Sequence, residues 1–173
     1  MIYIMKFIKL IVLFIIVTTV NFAIAGTTTA TINILGRITA PPCTVDTDTI
    51  NQTVFLGKTF VNELAAGSGS VWTPFTLTLS KCPVNWENAT VTLTGNSASD
   101  NKYFANSGSA QGVVLQISDT GHTKSYGNGA TITELIDVNR NVTFQLDARM
   151  FNPSGVVTAG DFNAVVEVDF TYQ

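Results

Sequence analysis

The chain has 173 residues, a formal net charge of −3, 12% charged residues, one histidine and two cysteines. The single histidine excludes a multi-histidine metal centre, and the lack of any basic patch or stripe argues against nucleic acid as a partner. Once an export signal is set aside, the length suits one domain with a sizeable core.

The first 25 residues read as that signal. Lys6 and Lys9 give a positive start, Leu10 to Val20 an apolar core, and Ala23-Ile24-Ala25 a small-x-small cleavage site. The alternative, a membrane anchor, is disfavoured because the apolar run is short for a span and Asn21 interrupts it. Met5 is a second candidate start. Loss of Lys6 and Lys9 makes the remaining chain, residues 26–173, more acidic by two charges.

Next comes "TATINILGRITAPPC", residues 29–43. Ala30, Ile32, Ile34, Gly36 and Ile38 alternate with Thr31, Asn33, Leu35, Arg37 and Thr39, the period of a half-buried strand over 29–39. Pro41-Pro42 cannot continue a ladder and set this strand apart. Residues 26–40 are therefore expected to be an extension, with a domain over 41–173. Two partners are open to the strand: the C-terminal strand of its own chain, or a different molecule.

Cys43 and Cys82 enclose a loop of 39 residues. In an exported chain a disulfide is the expected state, worth about 4 kcal/mol in the chain-entropy model. A metal pair would lack further ligands, His122 being the only histidine.

Strands of period two follow. Phe75, Leu77 and Leu79 share a face in "FTLTLSKC", Val91 and Leu93 in "TVTLTG", and Val113, Leu115 and Ile117 in "GVVLQIS". Residues 141–151 alternate Val142, Phe144, Leu146, Ala148 and Met150 with polar neighbours. The last strand sets Phe162, Ala164, Val166, Val168, Phe170 and Tyr172 against Asn163, Glu167, Asp169 and Thr171. Gly-, Asn- and Ser-rich turn clusters at 65–70, 95–101, 105–112, 119–129 and 152–155 separate them. Short strands so spaced indicate an all-β sandwich. The final strand runs regularly to the end of the sequence and expects a neighbour on each side, yet no strand follows it.

Chemistry-bearing patterns are lacking. His122 falls in an expected hairpin tip, Asp119-Thr120-Gly121-His122, and reads as an exposed loop histidine. The "AGSGSV" stretch is no nucleophile elbow, and no glycine-rich phosphate loop opens a helix. Trp72 and Trp86 are candidate ligand platforms, with packing as the commoner role.

In these features the sequence resembles the pilins of chaperone–usher fimbriae, in particular type 1 fimbrial minor (adaptor) subunits. The residues that carry the resemblance are "TATINILGRITAPPCTV" with Gly36, Cys43 and Cys82 in "LSKCPV", and "ANSGSAQGVVLQISD". The ending adds Gly160, fourteenth from the end, and Tyr172, second to last.

The resemblance implies an incomplete immunoglobulin-like β-sandwich that lacks its last strand. A donor strand from a periplasmic pilus chaperone, then from a neighbouring fimbrial subunit at the outer-membrane usher, would complete it. The implied donor residues are Ala30, Ile32, Ile34, Gly36 and Ile38. The implied groove strand carries Gly160, Phe162, Ala164, Val166, Val168, Phe170, Tyr172 and Gln173, with the Gln173 carboxylate held by the chaperone. The implied function is a structural, non-enzymatic subunit of a bacterial surface fimbria that supports adhesion and holds no cofactor or metal. A major shaft pilin and a single-domain adhesive pilin that binds a glycan are the alternatives within the family. A hydrolase on a β-sandwich is the alternative outside it.

Overall fold

Leu77 of one strand lies opposite Phe144 of another, with Phe75 opposite Leu146 and Leu79 opposite Val142. This apolar register founds the larger of two sheets in the computed structural model, which describes residues 30–39 and 41–173. The expected signal, residues 1–25, lies outside the described residues, as do 26–29 and Ala40.

The strands in chain order are β1 (Thr44–Val45), β2 (Thr73–Ser80), β3 (Asn88–Gly95), β4 (Phe104–Ala105), β5 (Val114–Ser118), β6 (Ser125–Tyr126), β7 (Ala130–Leu135), β8 (Val142–Phe151) and β9 (Val166–Tyr172). One 3-10 turn, Val61–Glu63, is the only helical element among the described residues. The larger sheet runs β1-β2-β8-β5-β4, with β6 also on β5; the smaller runs β7-β3-β9. All pairings are antiparallel.

The alternation in sequence sets which side chains enter the core. Val142, Phe144, Leu146, Ala148 and Met150 of β8 are buried, as are Leu77 and Leu79 of β2. From the smaller sheet Ala89, Val91 and Leu93 of β3 join the same cluster. With Phe144 wholly buried, truncation to alanine would cost about 3–5 kcal/mol. A second small cluster gathers Leu64, Ala110, Val113 and Met150. The buried Asn152 amide beneath it donates to the Leu64 carbonyl and its side-chain oxygen accepts from the Ser154 and Gly155 N–H groups.

Cys43 and Cys82 form the expected disulfide, with Cα atoms 4.1 Å apart. Both sulfurs sit in the main core, where the bridge ties the start of β1 to the end of β2.

Three features depart from the sequence reading. The strand expected over 29–39 is not formed at residues 30–39, which carry no secondary structure. A lone extended segment has no ladder partner to satisfy its backbone, so alternation alone does not make a strand. Second, β7 was not expected: its inward residues are only Ala130 and Ile132, too few to mark a period. Third, the last strand joins a ladder only from Val166, although the burial alternation begins at Phe162.

Candidate functional site

The site is the outer edge of β9. Along this strand Val166, Val168, Phe170 and Tyr172 face the core, and Glu167, Asp169 and Thr171 face solvent. Val91 lies opposite Phe170 and Leu93 opposite Val168. The apolar row of β3 is fully buried while that of β9 is only half-buried. Burial therefore falls off toward the side where β9 has no neighbour among the described residues.

The backbone shows the same asymmetry. Gln173 and Asn88 exchange both hydrogen bonds, at 3.0 and 2.9 Å, which makes them a hydrogen-bonded antiparallel pair. By alternation, the odd-numbered residues of β9 turn their N–H and C=O groups toward β3. The pattern continues upstream, where the Asn163 carbonyl accepts from Ser107 and that of Asp161 from Ala110. The N–H and C=O groups of Phe162, Ala164, Val166, Val168, Phe170 and Tyr172 thus point to the open side. They form the kind of unpaired row that templates another strand. Burial pushes the Tyr172 phenol above its ordinary pKa, so it stays a neutral part of the apolar face.

Gly160 has a specific role at the start of this segment. A Cβ there would lie 2.4 Å from the Ala110 nitrogen and 2.7 Å from the Ser109 carbonyl carbon. Only glycine lets the chain pass this close to the 106–110 loop. The Asn106 side chain locks the contact: it donates to the Ala110 carbonyl and accepts from Asn163 N–H.

A second unladdered stretch reaches the same core. Residues 52–58 make no hydrogen bonds among the described residues, yet Val54 and Leu56 pack against the core that β9 covers. Leu56 and Phe162 both touch the second cluster as well. An open cleft of about 390 Å³ lies between residues 52–55 and Thr73–Thr76 of β2. The exposed Phe55 ring stands at its rim. Sequence reading missed this stretch, although Val54 and Leu56 carry the period-two signal.

The expected donor residues group apart from the sandwich. There Ile32, Ile34 and Ile38 are 80%, 88% and 101% exposed, and a Cβ added at Gly36 would meet nothing within 4 Å beyond its chain neighbours among the described residues. Ala30 is exposed too.

His122 is exposed at the β5–β6 turn, as expected, and its ring is also engaged within its own chain. Its imidazole Nε2 lies 2.6 Å from the Asp147 carboxylate, and its ring stacks on Trp72 at 4.3 Å. The Arg149 guanidinium lies 4.1 Å from the Trp72 ring, and Arg149 Nε donates to Gln116. Trp72 is thereby engaged within its own chain. These contacts join residues far apart in sequence, so no local pattern announced them. Trp86 is half-buried, with its carbonyl accepting from Arg140.

A two-sheet antiparallel sandwich whose C-terminal strand is left open on one edge defines the class of incomplete immunoglobulin-like folds found in pilus subunits. Residues 32–173 match the family model described as fimbrial protein, and the chain belongs to this family. It is 34% identical to Protein FimG of Escherichia coli (strain K12) over 144 residues, 82% of this chain and 84% of that one. It is 38% identical to S-fimbrial adhesin protein SfaS of Escherichia coli O6:K15:H31 (strain 536 / UPEC) over 152 residues, 87% of this chain and 86% of the other. Among solved structures, the P pilus rod subunit PapA superposes with a TM-score of 0.67 at 19% identity, covering 77% of this chain and 100% of that one, a likeness of fold. The chain is accordingly a structural subunit of chaperone–usher fimbriae, exported and assembled on the cell surface rather than an enzyme.

Proposed function

We propose that the chain enters its fimbria by strand exchange at both ends. Its β9 edge first takes a strand from a periplasmic chaperone, and at the outer-membrane usher takes the extension of another subunit. Its own residues 30–38 fill the corresponding edge of the next subunit. Chaperone–pilin complementation is an established mode of strand addition; the assignment to these residues is the new element. The observation that carries it is the half-buried row Val166, Val168, Phe170 and Tyr172 beside an unpaired backbone edge. Burying Ile32, Ile34 and Ile38 would contribute roughly 5–9 kcal/mol gross, before ladder hydrogen bonds are counted.

Within the fimbria we assign the chain a minor, adaptor place, on the resemblance of its extension to type 1 adaptor subunits. A second reading, an adhesive pilin, draws on the relative named S-fimbrial adhesin. Trp72, held by His122 and Arg149, offers that reading no free platform.

The test is export of the full chain with and without a co-expressed pilus chaperone. We expect the chaperone complex to be the main soluble species, and any donor-free chain to be much less stable than the chain with a donor strand bound. A chaperone-free monomer as stable as the donor-bound chain would overturn the proposal.

A further inference from the structure

We propose that two linked turns, Pro83–Trp86 and Asp137–Arg140, form an apolar docking pole for the body of the fimbrial subunit that receives this chain's extension. The inference rests on the strand-exchange reading and adds a second contact, body against body, beside the exchanged strand.

The two turns have the same build. Trp86 N–H donates to the Pro83 carbonyl at 3.3 Å and Arg140 N–H to that of Asp137 at 3.0 Å, so each is a four-residue turn. Each carries a Val-Asn pair at its centre, Val84-Asn85 and Val138-Asn139. Turn centres favour proline, glycine and small polar residues, and neither valine serves its own fold: Val84 is 83% exposed and Val138 95%. Arg140 clamps one turn to the other. Its Nε donates to the Cys82 carbonyl at 2.9 Å and its Nη2 to that of Trp86 at 3.2 Å, while its own carbonyl accepts from Cys82 N–H. The Asp137 carboxylate accepts from Asn141 N–H and closes the second turn. Both apolar tips thus stand on one braced frame, and little ordering remains to oppose docking.

The covalent path of the chain names the occupant. Cys43 is buried and disulfide-bonded to Cys82, two residues before Val84. Only Thr39, Ala40, Pro41 and Pro42 separate Cys43 from Ile38, the last donor residue. Those five steps span about 16 Å at the polyproline rise. With Ile38 held in a neighbour's groove, the neighbour's body is tethered within that distance of Cys43, beside both valine tips. The same end carries Gln173, whose carbonyl accepts from Glu87 N–H, so a chaperone holding that terminus is the rival occupant. The tether is covalent and lasts for the life of the fimbria, which favours the neighbour. Contact at both tips fixes the angle between the two bodies. The junction is then braced, where Pro41-Pro42 alone would leave it to swivel.

The test places the photo-cross-linker p-benzoylphenylalanine in the full chain, in fimbriae assembled on cells that carry the whole pilus system. It replaces Val138, Val84, Leu35 or Thr131 in separate strains. Leu35 is exposed on the polar side of the extension and reports which subunit holds it. Thr131, exposed in the middle of β7 and away from the pole, is the control. Immunoblots verify that each chain is in the fimbria, and mass spectrometry identifies each linked partner. We expect positions 138, 84 and 35 to link to the same subunit, well above position 131. If position 35 links to a subunit while 138 and 84 do not, or do so no more than 131, the docking pole is overturned and strand exchange stands. Linkage of 138 and 84 only to the chaperone, or to a subunit that position 35 does not reach, overturns it as well. No linkage from 35, 138 or 84 in fimbriae that contain the chain overturns the two proposals together.

Discussion

Phe170 of β9 packs on Phe144 of β8 across the sandwich, with ring centroids 6.0 Å apart and planes inclined at 38°. The contact fixes the C-terminal strand to the opposite sheet through its side chains. The backbone of Phe170 still faces the open edge. One residue therefore anchors the strand and presents it.

Truncating each ring separates these roles. Phe144→Ala should cost about 3–5 kcal/mol, read as a lowered urea midpoint of the chain held by a bound donor peptide. Phe170→Ala should cost less, since its ring is only half-buried. A larger loss for Phe170 would place the main core elsewhere.

Cys43→Ser removes the bridge that ties β1 to β2. Loss of a native disulfide from a small exported domain costs about 2–5 kcal/mol. Periplasmic yield and the urea midpoint should both fall. Unchanged values would show that the sheet contacts alone hold β1.

Ile34→Asp changes a residue that is 88% exposed, so the subunit's own stability should not change. As a donor, however, the extension would carry a carboxylate into an apolar row, and inter-subunit linkage should be lost. Chaperone binding, which uses the other end, should persist. Normal polymerisation of this variant would remove Ile34 from the donor face.

Asp119 organises the β5–β6 turn. Its carboxylate is held at about 2, below the usual 3.8, chiefly by the Thr123 hydroxyl and then by the Lys124 N–H, with Ser118 and the Thr123 N–H adding to them. A carboxyl depressed on folding stabilises the folded state above its unfolded pKa. That contribution is lost as pH falls from about 4 through about 2. Turn amides such as Thr123 and Lys124 should lose exchange protection over this window. In Asp119→Asn the step should vanish; a step that persists would belong to another group.

The fold was legible where one face is buried and the other wet. Alternation marked β2, β3, β8 and β9, and the export signal with two cysteines pointed to the disulfide. It failed for β7, whose Thr131, Thr133, Glu134 and exposed Leu135 leave little apolar signal. It also failed for the two-residue strands β1, β4 and β6, which depend on tertiary neighbours rather than local sequence. At the candidate site the inward face of β9 was readable, but the unladdered stretch 52–58 and the engagement of His122 by Trp72 and Asp147 were not. Long-range contacts leave no local period.

The most direct measurement is amide hydrogen exchange along β9, with and without excess peptide of the N-terminal extension of a partner subunit. The odd-numbered amides of Glu167, Asp169 and Thr171 face β3 and should be protected in both states. Those of Val166, Val168 and Phe170 should gain protection only when the peptide is present. Protection of both sets without peptide, or no gain at the even-numbered amides on its addition, would contradict an open edge that an added strand completes.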